Sequence, residues 1–155
     1  MTAPTLENKV AVIAGGGKNL GALIASQFVA AGAKGLVLHY NSDSSRAETE
    51  QTAAALKEKG ADVITFQGDL AVVDNNVRLF DQAKAHFGQV HVAINTAGVV
   101  IKKPIAAVTE ADYDKSFDAN AKAAFFFMQQ AGRTLEERGS IVTIAPLGAR
   151  VYVGS

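Results

Sequence analysis

The chain has 155 residues, with 48% hydrophobic residues, 15 basic and 15 acidic side chains, and no cysteine. This composition is typical of a soluble folded protein and argues against disorder. A net charge of zero offers no basic field for nucleic acid, and no apolar run is long enough to span a bilayer, so we expect neither partner. The absence of cysteine excludes disulfides, and the polar residues 1–9 do not resemble a signal peptide, so we expect a cytoplasmic protein.

Short aliphatic runs alternate with amphipathic stretches along the chain. The first run, Val10–Ala14, is apolar throughout and predicts a strand buried on both faces. A glycine-rich segment and then a helix follow, and Gly32 ends the helix. Four apolar residues define the core-facing stripe predicted for this helix: Leu20, Leu23, Ile24 and Phe28.

The same alternation continues through the middle of the chain. We predict a second strand over 36–40, a helix over 46–59 and a third strand over 62–67. A helix over 72–87 and a fourth strand over 91–95 follow. Strands separated by helices are typical of parallel βαβ units.

A long helix and a last strand complete the pattern. Thr109 and Asp112 have the spacing of a capping box before a helix that we expect to continue to about Arg138. Gly139 ends it, and residues 141–144 form the fifth predicted strand. We therefore predict one α/β domain over 1–155, a Rossmann-like doubly wound parallel sheet in three α/β/α layers. Because the dinucleotide-binding version of this sheet has a further strand, we expect the C-terminal strands to be missing.

The glycines after the first strand predict an anion site. Glycine lets the backbone turn sharply and approach a pyrophosphate, and the N-terminus of the next helix favours negative charge. Gly15, Gly17 and Gly21 do not fit Gly-x-Gly-x-x-Gly, since Leu20 stands at the last position. A P-loop is also excluded, because Asn19 follows Lys18 where Ser or Thr is required. A tight turn without a ligand is the other interpretation.

Further motifs join this loop in a definite order. They are Ala14-Gly15-x-x-x-Asn19-x-Gly21, Asp69-Leu70, Asn95-Thr96-Ala97-Gly98 and Asn120. Together they resemble the short-chain dehydrogenase/reductase family over nearly the whole chain. Ala14, Asn19 and Thr96 replace a Thr, a Gly and an Asn of the family pattern. Asn19 is the replacement that most readily adopts a left-handed backbone.

The resemblance implies a nicotinamide cofactor and the residues that bind it. Asp69 would hold adenine together with the Leu70 backbone, although a helix N-cap is an alternative role for Asp69. Asn95 and Gly98 resemble the wall beside the cofactor ribose, although a polar turn is the alternative there. The full set implied is Gly15, Gly17, Lys18, Asn19, Leu20, Gly21, Tyr40, Asn41, Ser42, Asp69, Leu70, Asn95, Ala97 and Gly98.

The end of the second predicted strand favours NADP(H) over NAD(H). An NAD site usually places an acid roughly 20 residues after the glycines, where it bonds the ribose 2′-hydroxyl. Here residues 40–42 are Tyr-Asn-Ser. NADP-preferring members of the family resemble this chain in carrying a basic residue at the position of Lys18. Lys18, Asn41 and Ser42 would form the phosphate pocket, with Arg46 as a further candidate. Asp43 is contrary evidence, because it could serve as the ribose acid if the strand ran further.

The family chemistry implies a proton relay of Tyr, Lys, Ser and Asn. Asn120 is the residue that we assign to it, in the role of holding a water. The Ser position falls at Ala145 or Pro146, which have no hydroxyl, and we expect the Tyr and Lys to lie beyond Ser155. Tyr152 is a weaker candidate for the Tyr, since an exposed loop tyrosine is the simpler interpretation.

The function predicted is that of an NADP(H)-dependent carbonyl reductase or alcohol dehydrogenase with a small-molecule substrate. A non-catalytic dinucleotide-binding module or an inactive truncated reductase is the alternative, and a flavodoxin-like FMN protein is a third. The histidines His39, His86 and His91 are isolated, so we interpret them as packing or surface residues and expect no metal. The run Phe125–Met128 predicts core and helix pairing, and a full-length protein is expected to be a homo-oligomer.

Overall fold

A parallel sheet of five strands lies at the centre of the computed structural model, which describes residues 5–144. The strands are β1 (Val10–Ala14), β2 (Gly35–Tyr40), β3 (Asp62–Gln67), β4 (Val92–Asn95) and β5 (Ser140–Thr143). Their order is β3-β2-β1-β4-β5. This order confirms the predicted Rossmann-like sheet, and it differs from the flavodoxin-like order that the FMN alternative requires.

Helices connect the strands and lie on the two faces of the sheet. They are α1 (Asn19–Ala30), α2 (Arg46–Glu58), α3 (Val73–Phe87), α4 (Glu110–Phe117) and α5 (Ala123–Thr134). Short 3-10 turns lie at Asp43–Ser45 and Ile105–Ala107, and a π-helical turn lies at Asp118–Lys122. None of the helices described in residues 5–144 is long and apolar enough to cross a bilayer.

The strand β1 is buried along its whole length, as its apolar sequence predicts. Val12 and Ala14 pack into one core with α3 and α5, whereas Ala11 and Ile13 pack into a second core with α1 and α2. This alternation follows from the period of two in a β-strand. Because β1 carries both cores, its carboxyl end is fixed on both faces of the sheet.

The stripe predicted for α1 is wrong at its first two positions. Leu20 and Leu23 are 45% and 57% exposed, and Gly21 and Ala25 are the buried residues of this helix. A helix that packs closely against its neighbours has small residues at the contact, because leucine side chains there would keep the helix away from those neighbours. The two leucines are therefore displaced toward the solvent side of α1.

The long predicted helix is also corrected. It divides into α4 and α5 at the π-helical turn, and α5 ends at Thr134 rather than near Arg138. Leu135 has extended backbone, and the Glu136 amide then donates to the Val90 carbonyl, 2.9 Å away. The chain needs these residues to return to the sheet, so the helix stops before the predicted glycine. Periodicity of 3.6 does not reveal a single π turn.

The last described strand lies at the edge of the sheet. β5 pairs with β4 only, and Ile141 and Val142 are 40% and 44% exposed. Within residues 5–144, no strand pairs with the other side of β5. Ala145, Pro146 and Tyr152, which the sequence places at or near the relay, lie outside residues 5–144.

The start of α4 is held by the predicted capping box. Thr109 Oγ1 accepts from the Asp112 amide at 3.2 Å, and the Asp112 carboxylate accepts from the Thr109 amide at 3.0 Å. Lys103 donates to the same carboxylate, at 2.6 Å. Lys103 and then Thr109 lower the pKa of Asp112 to about 2, so this carboxylate stays ionised and joins the preceding loop to α4.

We expect Thr109→Ala to lower the free energy of unfolding by about 1 kcal/mol, because it leaves an amide of the first turn without its cap. Thr109→Ser keeps the hydroxyl and should remain close to wild type. Urea unfolding followed by circular dichroism measures both variants. An equal loss in the two would contradict the capping role.

Candidate functional site

A cleft of about 300 Å³ opens at the carboxyl ends of β1, β2, β3 and β4. Ligands of open α/β sheets bind at this edge, where the strand order reverses beside the first strand. The lining contains most of the residues that the sequence predicts for the cofactor: Gly15, Gly17, Lys18, Asn19, Leu20, Gly21, Tyr40, Asn41, Asp69, Leu70, Ala97 and Gly98. Ser42, Asn95 and Asn120 are the predicted residues that do not line it.

The glycines of the loop are required by close backbone packing. Gly15 has φ +72°, and a Cβ there would lie 2.9 Å from Thr96 Oγ1. A Cβ on Gly17 would collide with Thr49 of α2, and one on Gly21 would collide with the Gly15 carbonyl. Because these partners are backbone or buried side chain, the loop has no room for larger residues. Gly15 and Gly21 thus permit close packing of the loop, while their approach to a pyrophosphate stays a prediction.

The N-terminus of α1 faces the cleft without a side-chain cap. Asn19 has φ +48°, which confirms that the asparagine takes the left-handed backbone expected of it. Lys18 occupies the N-cap position with extended backbone, its side chain caps no amide, and no acidic residue lies in the first turn. The first amides of a helix have no acceptor within it, and the helix dipole places positive charge there. An anion is therefore the ligand that this helix end favours.

Two of the three residues 40–42 at the end of β2 reach the cleft. Tyr40 is buried and Asn41 is exposed, and both line it. Ser42 is turned away, with its hydroxyl 2.9 Å from Ser44 Oγ. Ser45, which the sequence did not suggest, takes part instead, because Lys18 Nζ donates to Ser45 Oγ at 3.2 Å.

Arg46 and Asp43, near the end of β2, form an ion pair beside the cleft. Arg46 donates to the Asp43 carboxylate, at 2.6 Å, and to Gln67 Oε1, at 2.7 Å. The Arg46 guanidinium lowers the pKa of Asp43, which keeps that carboxylate ionised and paired. β2 ends at Tyr40, and neither Arg46 nor Asp43 lines the cleft. Lys18 is thus the one Lys or Arg among the lining residues of the described chain.

The segment after β3 contributes Asp69 and Leu70. Asp69 Oδ1 accepts from the Ala71 amide at 2.9 Å, which forms a local turn before α3. The N-cap of α3 is Val72 and no side chain caps it, so the alternative of Asp69 as the cap is wrong. Leu70 is 3% exposed and belongs to the core as well as to the cleft wall.

The segment after β4 is shaped by its own polar side chains. Asn95 is 3% exposed, and its Oδ1 accepts from the Ala97 amide at 3.0 Å. Thr96 Oγ1 donates to the Ala14 carbonyl at 2.7 Å and so ties β4 to the end of β1. Asn95 therefore shapes the turn that presents Ala97 and Gly98 to the cleft, and it does not line the cleft itself.

Asn120 lies in the π-helical turn and binds the backbone after β4. Its Oδ1 accepts from the Val99 amide at 3.0 Å, and its Nδ2 donates to the Val99 carbonyl at 2.8 Å. A Cβ on Gly98 would lie 2.7 Å from Asn120 Oδ1, so glycine is needed for this approach. In this arrangement the side chain holds the loop in place, and both its polar atoms have partners.

His39 is a buried polar residue on β2 that the sequence interpretation left as packing. It is 2% exposed and lines the cleft. Its Nδ1 is 3.2 Å from the Gly15 amide and its Nε2 is 2.7 Å from the Gly68 carbonyl. Burial lowers the pKa of His39 to about 4, so the imidazole is neutral at pH 7.

Several other lining residues were not found from the sequence. They are Ser45, Thr49, Thr96, Val99, Ala119 and Ala123, together with His39. One signal could have found His39, because it is the polar residue within an otherwise apolar run of a doubly covered strand. The others come from helices and loops whose distance to the glycine loop depends on tertiary packing.

The strand order and the glycine loop at the central strand define a Rossmann-like α/β protein. A family model described as short chain dehydrogenase matches residues 9–154. The chain therefore belongs to the short-chain dehydrogenase/reductase family, and oxidoreductase is the enzyme class of that family.

Curated relatives in fungi carry names of the same kind. The short chain dehydrogenase/reductase nsrJ of Aspergillus novofumigatus is 37% identical over 141 residues, which is 91% of this chain and 52% of the relative. Elsinochrome reductase 1 of Elsinoe fawcettii is 33% identical and covers 95% of this chain and 54% of its own length. The chain thus spans about half the length of the curated relatives it matches.

Solved structures agree with the fold. A dehydrogenase from Burkholderia cenocepacia with bound NADP has a TM-score of 0.90 and 50% identity, and the match covers 95% of this chain and 56% of that one. A short-chain dehydrogenase from Oenococcus oeni has a TM-score of 0.82 and 39% identity, with coverage of 98% and 70%.

The lowered pKa of His39 predicts a pH-dependent stability. Its ordinary value is 6.5 and its value in the fold is about 4, so between them the unfolded chain binds a proton that the folded chain excludes. Stability is therefore present above 6.5 and is lost as the pH falls toward 4, by up to about 1.4 kcal/mol for each pH unit.

Urea unfolding of wild type and His39→Gln, from about pH 7.5 to about pH 5, measures this effect. The difference between the two pH profiles isolates His39 from the carboxylates, which titrate in both proteins. Parallel profiles would contradict the assignment.

Proposed function

We propose that this chain binds NADP(H) and forms the cofactor-binding part of a short-chain oxidoreductase. The reaction would transfer hydride between the nicotinamide and a small carbonyl or alcohol substrate. The observation that carries the proposal is the N-terminus of α1, which follows the glycine loop, has no side-chain cap and no acid in its first turn, and faces the cleft. An extended dianion such as a pyrophosphate matches that helix end.

The shape of the glycine loop supports a cofactor that approaches the backbone closely. Gly15, Gly17 and Gly21 have no space for a Cβ, so the loop stays narrow. The Leu20 and Gly21 amides lie in the first turn of α1 and would bind the pyrophosphate. At one end of the cleft, Asp69 and the Leu70 backbone would hold the adenine.

The other end of the cleft suits the nicotinamide ribose. Ala97 and Gly98 form its wall, and Asn95 fixes their turn from inside the fold. Asn120 holds the following residue, Val99, through both backbone groups. In the proposal these contacts keep the wall rigid, which is how a protein orients a cofactor that itself supplies the hydride. The catalytic role expected of Asn120 stays a prediction.

The charges favour NADP(H) over NAD(H). No acid stands at residues 40–42, and Asp43 is held by Arg46 outside the cleft. Lys18, Asn41 and Ser45 would surround a 2′-phosphate; Ser42, part of the predicted pocket, points elsewhere. The bound NADP in similar Burkholderia cenocepacia dehydrogenases supports the same choice.

A non-catalytic dinucleotide-binding module is the second candidate. Neither Ala145 nor Pro146 has a hydroxyl at the position where the family resemblance implies the relay serine. A chain of this kind would retain the cofactor cleft and lack turnover. Separate measurements of cofactor binding and of turnover therefore distinguish the two candidates.

We include in the proposal one dinucleotide-binding domain, a cytoplasmic location and a homo-oligomeric full-length protein. The support for the oligomer is a set of exposed aromatic and apolar side chains on α4 and α5. These are Tyr113, Phe117, Phe125 and Met128. Large apolar groups that remain in water on neighbouring helices are typical of subunit contacts.

We expect the purified chain to bind NADPH, measured by titration calorimetry and by the change in NADPH fluorescence. Gly21→Ala should abolish binding because its Cβ meets the Gly15 carbonyl. Gly132→Ala is the matched control, since a Cβ there meets nothing within 4 Å. Wild-type protein that binds neither NADPH nor NADH would refute the proposed function. Oxidation of NADPH with a panel of ketones and quinones then separates the enzyme from the binding module.

We expect Lys18→Ala to weaken NADPH by about tenfold or more and to change NADH little, because a charge-assisted contact with the 2′-phosphate is lost. Lys59→Ala removes the same charge at the end of α2, away from the cleft lining, and serves as the control. Dissociation constants for both cofactors measure the effect. Equal losses for NADPH and NADH would exclude the 2′-phosphate role of Lys18.

A further inference from the structure

His39 forms three hydrogen bonds to two segments that border the cleft. Its Nδ1 faces the Gly15 amide at 3.2 Å, and its backbone carbonyl accepts from the Gly16 amide at 3.1 Å. Its Nε2 faces the Gly68 carbonyl at 2.7 Å, one residue before Asp69. A single residue of β2 thus binds two consecutive amides of the glycine loop and the segment that follows β3.

We propose that His39 is a positioning residue for the dinucleotide site, fixing the glycine loop through an acceptor at Nδ1. The expected effect on cofactor affinity rests on the proposed function. The hydrogen bonds of His39 are a property of this chain without any cofactor. Since Gly15 begins the loop that leads into α1, the position of its amide determines where the N-terminus of α1 points.

The tautomer follows from the two partners. An amide donates and a carbonyl accepts, so Nδ1 carries the lone pair and Nε2 carries the proton. The bond to Gly68 therefore selects the tautomer that leaves Nδ1 free to accept from Gly15. With a pKa of about 4, the ring keeps this neutral form at ordinary pH, and the nearby Asp69 carboxylate is not enough to protonate it.

Because His39 is buried, the loss of one of its hydrogen bonds would be costly. His39 is 2% exposed and packs near Phe66, so water does not replace a lost partner. The Gly15 amide would then be left without the acceptor that orders it. Thr96 Oγ1 ties the preceding carbonyl, Ala14, from the other side of β1, so His39 completes the fixation of this backbone.

Two variants separate positioning from packing. Asparagine places its side-chain oxygen near the position of Nδ1, whereas glutamine places its amide near the position of Nε2. His39→Asn keeps an acceptor for Gly15 and loses Gly68, and His39→Gln does the reverse. Each variant loses one buried hydrogen bond, so thermal unfolding should show similar destabilisation of the two.

We expect His39→Asn to bind NADPH nearly as wild type does and His39→Gln to bind it about tenfold more weakly. A tenfold change in affinity corresponds to roughly 1.4 kcal/mol of binding free energy. His86→Gln is the control, because His86 pairs with Asp62 at the opposite end of β3 and does not line the cleft. Equal affinity losses in the Asn and Gln variants, or full affinity in His39→Gln, would overturn the proposal.

Nuclear magnetic resonance of the wild-type chain tests the geometry without cofactor. Long-range proton–nitrogen spectra should show His39 as the Nε2–H tautomer, and hydrogen exchange should show a protected Gly15 amide. A proton on Nδ1 or a rapidly exchanging Gly15 amide would overturn the proposal even if NADPH binds. Failure of NADPH binding with both signatures present would instead refute the proposed function.

Discussion

The fixed backbone at the end of β1 is the constraint on which the rest of the site depends. The Ala14 carbonyl accepts from both the amide and the hydroxyl of Thr96, and the next two amides donate to His39. These bonds come from β4 on one side and from β2 on the other. Because β1 is buried on both faces, its end has no freedom to shift, and the glycine loop begins from a defined point. The direction of α1, and with it the anion-favouring end of the cleft, follows from this arrangement.

Electrostatics around the cleft depend on which charges are paired. Arg46 is bound to Asp43 and Gln67 and lies over the Tyr40 ring, so its charge is paired and it does not line the cleft. Lys18 caps no amide of α1, and its ammonium donates to the Ser45 hydroxyl. The positive charge available to a ligand therefore comes from Lys18 and from the helix end. Among the described residues, Asp69 is the single acid that lines the cleft, in the segment after β3. This distribution explains how a protein with zero net charge has a cleft suited to an anion.

The departures from the family pattern have structural explanations in this chain. Asn19 replaces glycine and adopts φ +48°, a conformation in which asparagine is strained less than most residues. Thr96 replaces asparagine, and its hydroxyl bonds the Ala14 carbonyl while requiring glycine at position 15. Both substitutions leave the loop closed and narrow. Asn19 and Thr96 thus each have a backbone role at the positions where this chain departs from the family pattern.

The sequence by itself determined most of the secondary-structure elements of this protein and the glycine loop at which its candidate cofactor cleft opens. The uninterrupted apolar run Val10–Ala14 and the capping box at Thr109 and Asp112 are local signals, and the structure confirms the buried strand and the helix start that they predict. Only the tertiary structure decided what depends on distant packing. A π turn brings Asn120 to Val99, and His39 contacts Gly68. Ser45 takes the place of Ser42 at the cleft, and Leu20 and Leu23 are exposed. Each of these features depends on residues that are far apart in the chain. Periodicity and motif spacing report the local backbone, whereas the partner of a buried polar group is chosen by the assembled sheet.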